Sequence, residues 1–125
     1  MAYGQDGHLI PGLVAGADLS ACQGLAVKIN SSAQVVLNAT DGDTITGVLC
    51  DNPSVIGMPC SVQNSGVGKG ICGASVTAGA RLSIDSASKF ITAAAGKNVV
   101  GRALAGGSTN DVIPISFDEK GYKAS

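Results

Sequence analysis

The sequence predicts a small, single-domain all-β fold, either a β-barrel or a β-sandwich, built from two pseudo-repeats and preceded by an extended N-terminal arm. Three observations support this prediction. Apolar residues alternate with polar or small ones in short runs, and Gly, Asn and Asp separate the runs. The same order of runs occurs twice, about 55 residues apart. Helical periodicity is almost absent.

The first run shows the alternation most clearly. Leu25, Val27 and Ile29 fall on one face of an extended chain, as expected for a half-buried strand. A turn-forming NSSA segment, the run QVVL and a DGD turn follow. Further strand-like runs are TITGVLC, RLSID, KFIT, NVVGRAL and DVIPISF. Short strands at such close spacing are typical of barrels and sandwiches.

Glycine and proline inside these runs predict local irregularities. Gly47 and Gly101 lie within strand patterns, where glycine often marks a bulge or a bend. Pro59 and Pro114 also lie in strand-like runs. Because proline cannot donate to a strand ladder, each is expected on an edge strand or at a bulge.

The repeat is visible when GLAVKINSSAQVVLNATDGDTITGVL, from Gly24, is set beside GARLSIDSASKFITAAAGKNVVGRAL, from Gly79. The residue pairs that match in order are Gly24 with Gly79, Ile29 with Ile84, Ser31 with Ser86, Val36 with Ile91, Ala39 with Ala94, Gly42 with Gly96, Ile45 with Val99, Gly47 with Gly101 and Pro59 with Pro114. We therefore predict half-repeats at about residues 24–63 and 79–117 within a domain spanning residues 17–117. Residues 1–16 are predicted to form the arm, and residues 118–125 a polar C-terminal tail.

Composition limits the possible functions. The chain has 125 residues, 45% of them hydrophobic but only 3% aromatic, so Val, Ile, Leu and Ala must form the core. The net charge is -1 and the lysines are scattered, which argues against nucleic-acid binding. No apolar run approaches the length of a membrane span, and the N-terminus lacks the features of a secretory signal. A soluble protein made in the cytosol is expected.

The glycine-rich segment NSGVGKGICG, residues 64–73, invites comparison with a phosphate-binding loop. Such a loop requires a glycine five residues before the Gly-Lys pair and a hydroxyl residue after it. The chain has Gln63 and Gly70 at those places, and no helix pattern follows. A glycine-rich strand or turn between the two halves is the simpler interpretation.

The chemically reactive residues do not form a recognisable set. The four cysteines are Cys22, Cys50, Cys60 and Cys72. They form no CxxC pair, and a cytosolic origin favours free thiols over a single disulfide, which stays an alternative.

Asp41 and Asp43 are better explained as turn residues than as calcium ligands. His8, the only histidine, lies in the predicted arm. We expect no catalytic residues, no metal site and no cofactor, and hence not an enzyme.

The second half, GASVTAGARLSIDSASKFITAAAGKNVVGRALAGGSTNDVIPISF, resembles the capsid decoration proteins of tailed bacteriophages, which are also called head cement or stabilisation proteins. The similar features are V-T-A-G, two short strands around a polar turn, an alanine-rich glycine turn, VVGRAL, a small-residue turn and a final D-V-I-P-I strand. The same order appears more weakly from Gly24 to Val62. The resemblance brings no catalytic residues.

This resemblance implies a structural virion protein on the outer surface of the expanded capsid. It would bridge subunits of the major capsid protein, its main partner, and stabilise the shell, commonly as a homotrimer at local three-fold positions. An extended N-terminal arm is suited to adding a strand to the exposed sheet edge of a neighbouring subunit. The residues expected to contact the capsid are Tyr3, His8, Leu9, Ile10 and Pro11.

Two alternatives stay open. A glycan-binding or adhesive β-module is one, although the two Tyr and two Phe residues are few for stacking on sugars. The other is a biotinyl or lipoyl carrier domain, whose hairpin lysine would correspond to Lys97. The flanking Gly96 and Asn98 do not match the residues usual beside that lysine.

Overall fold

The computed structural model describes residues 12–117 and the backbone of residues 122–123. Within them the chain forms eleven short strands and no helix. The strands are β1 (Ala26–Ile29), β2 (Val35–Leu37), β3 (Gly47–Leu49), β4 (Val62–Gln63), β5 (Val67–Ile71), β6 (Arg81–Ile84), β7 (Phe90–Thr92), β8 (Asn98–Val99), β9 (Gly101–Ala103), β10 (Val112–Ser116) and β11 (Tyr122–Lys123). The predicted all-β class is therefore confirmed.

The strands form two main antiparallel sheets. The first has four strands in the order β2-β1-β3-β4, and the second has five in the order β5-β10-β9-β6-β7. A third, two-stranded sheet joins β11 to β8. Neither main sheet closes on itself, so the fold consists of open sheets and not of a barrel. In the described part of the chain, no helix is long and apolar enough to cross a membrane.

The two halves are structural repeats of each other. The order β2-β1-β3-β4 in the first half corresponds to β7-β6-β9-β10 in the second. The register agrees as well: Val27 pairs with Gly47 in the first half, and Leu82 pairs with Gly101 in the second. These are the positions that the sequence comparison had aligned, which confirms the predicted pseudo-repeats.

Equivalent turns join the first two strands of each repeat. In the first, Asn30 Oδ1 accepts hydrogen bonds from the N–H groups of Ser32 and Gln34. In the second, Asp85 Oδ1 accepts from the N–H groups of Ala87 and Lys89. Each turn also places a residue other than glycine in the left-handed region, Ala33 at φ 61° and Ser88 at φ 65°. The short side chain at the start of the turn thus stabilises an otherwise unfavourable backbone.

The predicted match of Pro59 with Pro114 is wrong by two residues. The N–H of Cys50 donates to the Ser61 carbonyl, as the N–H of Leu104 does to the Pro114 carbonyl. Pro114 therefore corresponds to Ser61. The two prolines were matched because they stand before similar apolar runs, but the chain between Cys50 and Ser61 is one residue longer than the chain between Leu104 and Pro114.

The described chain packs on the first sheet from Leu13 onwards, before the predicted domain boundary at residue 17. Val14 forms an antiparallel bridge with Pro59, and Ala15 a parallel bridge with Val35. In the second repeat Ile71 pairs with Val112, and Cys72 forms a parallel bridge with Phe90. Residues 13–16 therefore occupy in the first repeat the place that the end of β5 occupies in the second.

Each repeat contributes its own core. Val27, Val35, Leu49 and Val62 pack with Ala15 and other residues of the first repeat. The core of the second repeat has as its buried members Cys72, Val76, Leu82, Ile84, Phe90, Val100, Ala103, Ile113, Ile115 and Phe117. Ala26 and Val48, from the opposite face of the first sheet, join this second core. The first sheet therefore buries part of its second face as well, around Ala26 and Val48, and this burial holds the repeats together.

The glycine-rich segment forms β5, which pairs with β10 along all five of its residues. A Cβ atom at Gly70 would lie 2.5 Å from Ile115 Cδ1 and 2.7 Å from Phe90 Cδ2. At Gly68 it would lie 3.0 Å from Phe117 Cε2. The glycines are needed because this strand lies directly against the two aromatic rings of the core. The segment is a packed strand, as the sequence analysis favoured.

Candidate interaction surfaces

The five predicted capsid-contact residues, Tyr3, His8, Leu9, Ile10 and Pro11, lie outside the described residues. The structure describes the chain from Gly12, immediately after them. The surface next to Gly12 is the described part of the chain that lies nearest to them in sequence.

Backbone hydrogen bonds fix the first described residues to the loop that connects β3 with β4. The N–H of Cys60 donates to the Leu13 carbonyl at 3.0 Å, and the N–H of Ala15 donates to the Met58 carbonyl at 2.8 Å. The N–H of Gly57 donates to the Ala15 carbonyl at 2.8 Å. This ladder gives the N-terminal segment a fixed direction where it leaves the domain.

The same loop exposes a cluster of apolar side chains, here called the apolar loop (residues 55–58). The exposed fractions are 58% for Val55, 63% for Ile56 and 39% for Met58. Three large apolar side chains are thus exposed within four residues of one loop, and exposed apolar groups can mark a binding surface. Sequence analysis missed this group because VIGM reads equally well as the end of a strand.

The second repeat has a polar loop at the equivalent place. The N–H of Asn110 donates to the Cys72 carbonyl, as the N–H of Gly57 does to Ala15. Gly57 has φ 89° and Asn110 has φ 71°, so the backbone conformations agree. Equivalent positions carry Val55, Ile56 and Met58 in one loop and Ser108, Thr109 and Asp111 in the other. The fold accepts polar residues here, so the apolar residues point to a binding role.

A cleft of about 160 Å³ lies between the two repeats. Its lining residues are Gln23, Gly24, Leu49, Cys50, Gln63, Gly68, Lys69 and Val112. Val112, at the rim, is 53% exposed. The amide groups in the wall are already bonded: Gln63 Nε2 donates to the carbonyls of Ser65 and Val67, and Gln23 Nε2 donates to the Cys50 carbonyl.

Lys97 and the acidic turn of the first repeat lie together. Lys97 Nζ is 3.3 Å from Asp41 Oδ2, and both side chains are exposed at the surface. The two glycine turns meet here, since the Lys97 side chain lies against Gly42. Asp43 is used within its own turn, where Oδ1 accepts from the Thr44 N–H. The lysine and both carboxylates thus have structural partners.

All four cysteines are free thiols. Cys60 and Cys72 are buried, and burial raises the pKa of both thiols. A nearby carboxylate adds to the effect in each case, Asp51 for Cys60 and Asp111 for Cys72. A raised thiol pKa favours the unreactive neutral form, so these two residues act as small apolar core residues. Among residues 12–117 no three His, Cys, Asp or Glu side chains come together as metal ligands.

Comparison with known proteins adds one structural likeness. No protein-family model and no curated protein sequence matches the chain. The fold is similar to the N base of head fiber gp8.5 in bacteriophage phi29, with a TM-score of 0.62 over 87% of this chain and 92% of that chain. The two sequences are 11% identical, so the likeness concerns the fold alone.

Proposed function

We propose that the protein is a structural component of a bacteriophage virion that binds the outer surface of the expanded capsid. It stabilises the shell by bridging subunits of the major capsid protein. The observation that carries this proposal is the fold shared with the base of a phage head fiber over nearly the whole length of both chains. The resemblance of the second half to capsid decoration proteins is an expectation from the sequence that agrees with this proposal, and no protein-family model matches the chain.

The architecture suits a bracing role. The two repeats share buried surface through Ala26 and Val48, so they form one rigid unit. A rigid unit loses little conformational entropy when it binds, which favours affinity. The protein would be made in the host cytoplasm and would act at the outer surface of the virion.

The N-terminal arm supplies the main capsid contact in this proposal. Backbone hydrogen bonds hold Leu13 and Ala15 to the loop before β4, and Val14 and Gly16 to Val35, so the residues that follow the arm have a fixed place on the domain. Its contact residues are Tyr3, His8, Leu9, Ile10 and Pro11. An extended arm can add a strand to an exposed sheet edge of a capsid subunit. Homotrimers at local three-fold positions would bring three arms to one site.

Deletion of residues 1–12 tests the arm directly. The shortened chain keeps Leu13 and its bond to Cys60, so it is expected to stay folded with an unchanged circular dichroism spectrum. Its binding to heads that lack the protein should fall at least tenfold. A matched control is Thr109→Ala, an exposed change in the polar loop. Full binding by the shortened chain would rule out the arm as the contact.

A further inference from the structure

The apolar loop carries side chains that the fold does not need. Its polar counterpart in the second repeat makes the same backbone hydrogen bonds with Ser108 and Thr109 in place of Val55 and Ile56. Burial of a Val or Ile side chain contributes roughly 1.5–3 kcal/mol. This contribution is not realised while Val55 and Ile56 stay exposed. A surface outside the loop that covered them would gain this contribution.

The cleft between the repeats has the chemistry to accept such a side chain. Leu49, Cys50, Val112 and two glycines line it together with Lys69. The amide nitrogens of Gln23 and Gln63, also in its wall, already donate to carbonyl groups of the chain. Gln23 Oε1 in turn accepts a hydrogen bond from Asn52 Nδ2. An apolar occupant would therefore leave these amide groups with their partners. A polar ligand would find few groups in need of a partner.

We propose that the apolar loop of one copy of this chain docks on a second copy, with Ile56 inserted into the cleft beside Val112. The contact specifies the self-association included in the proposed function, and does not depend on capsid binding. Loop and cleft are different surfaces. The contact is therefore head to tail, and three copies joined in this way close the ring that the proposed homotrimer requires.

A cysteine placed on the loop tests the geometry. Cys50 lines the cleft, is half-buried and takes no part in a disulfide. In the variant Ile56→Cys, a docked loop brings the new thiol close to Cys50 of the neighbouring copy, within the Cα separation of about 7 Å that a disulfide tolerates. Mild oxidation of the full chain should give covalent dimers and trimers on a non-reducing gel, and peptide mapping should join positions 56 and 50.

Two controls make the result specific. Adding Cys50→Ser to the Ile56→Cys variant should abolish the crosslink, whereas adding Cys22→Ser should leave it unchanged. The variant Thr109→Cys places a thiol at the equivalent position of the second repeat and should give no specific product. A crosslink that avoids Cys50, or one that is equally strong from position 109, would overturn the proposal.

Sedimentation velocity of the unmodified chain supplies a second measurement. We expect concentration-dependent association, weakened at least tenfold by Val55→Ser combined with Ile56→Thr, which copies the polar loop. Both positions are exposed, so the variant should keep the thermal stability of the parent. A parent chain that sediments as a monomer at all concentrations would also overturn the proposal. Capsid binding is measured separately by co-sedimentation with heads. A failure of self-association therefore does not decide whether the protein binds capsids.

Discussion

Ser88 and Asn38 are joined across the two repeats by a buried hydrogen bond, in which Ser88 Oγ donates to the Asn38 carbonyl oxygen at 2.8 Å. The carbonyl of Ser88 accepts in turn from the N–H of Ala26 at 2.9 Å. Both Ser88 and Asn38 are fully buried. One turn residue of the second repeat thus ties together the beginning of β1 and the end of β2.

The change Ser88→Ala removes the donor of this bond. A buried carbonyl that loses its partner costs about 1–3 kcal/mol, and we expect the free energy of unfolding to fall by that amount. Urea unfolding followed by circular dichroism measures it. The matched control is Ser86→Ala in the same turn, which changes an exposed side chain and should have an effect below about 0.5 kcal/mol. Equal effects of the two changes would contradict the role of the bond.

The change Ala33→Gly should stabilise the protein. Ala33 has a left-handed backbone with φ 61°, which costs a residue with a Cβ atom about 1–2 kcal/mol. Glycine removes this cost but adds about 0.5–1 kcal/mol of unfolded-state entropy. The net gain should be about 0.5–1 kcal/mol in the same unfolding experiment. Ala87→Gly, at a position of the other turn without positive φ, should be destabilising, and a gain there would argue against the explanation.

The change Gly101→Ala should strongly destabilise the second repeat. A Cβ atom there would lie 2.8 Å from both Ile115 Cγ2 and the Ser116 carbonyl oxygen. Overpacking of this kind costs about 1–3 kcal/mol or more. Gly47 is the equivalent residue, and its Cβ atom would overlap the carbonyl oxygen of Gln63. A thermal unfolding scan should therefore show a lower Tm for either change, and an unchanged Tm would contradict the packing described.

The sequence predicted the strands and repeats well because both depend on local patterns. Alternation marked β1 and β6, and the match of Gly47 with Gly101 reflects a shared close approach to the neighbouring strand. The match of the prolines failed because a difference in loop length leaves no local trace. The packing of residues 13–16 was not visible either. Those residues contact Val35 and Pro59, far along the chain, and a short segment of small residues shows no alternation.

Binding surfaces were harder to predict for the same reason. The apolar loop stands out only when it is compared with residues 108–111 at the equivalent place, and this equivalence comes from hydrogen bonds. The cleft combines residues from both repeats, such as Leu49 and Val112. No sequence pattern links positions so far apart.

The buried thiol of Cys72 predicts a loss of stability at high pH. Burial raises its pKa above the ordinary value of 9.0, and the carboxylate of Asp111 adds to the shift. The stabilisation is complete well below pH 9, where the thiol is neutral in both states. It is lost as the pH rises above 9, because the unfolded chain then ionises first. In unfolding experiments at pH 7 to 10.5, Cys72→Ala should reduce the decline of the unfolding free energy with pH. An unchanged slope of the unfolding free energy against pH would contradict the role given to Cys72.

The proposed function requires that the protein recognise the expanded form of a phage head. The most direct measurement is co-sedimentation of the purified full chain with expanded and with unexpanded heads that lack it. We expect saturable binding to expanded heads, with a fixed number of copies per capsid, and little binding to unexpanded heads. Absence of binding to both forms would contradict the proposed function.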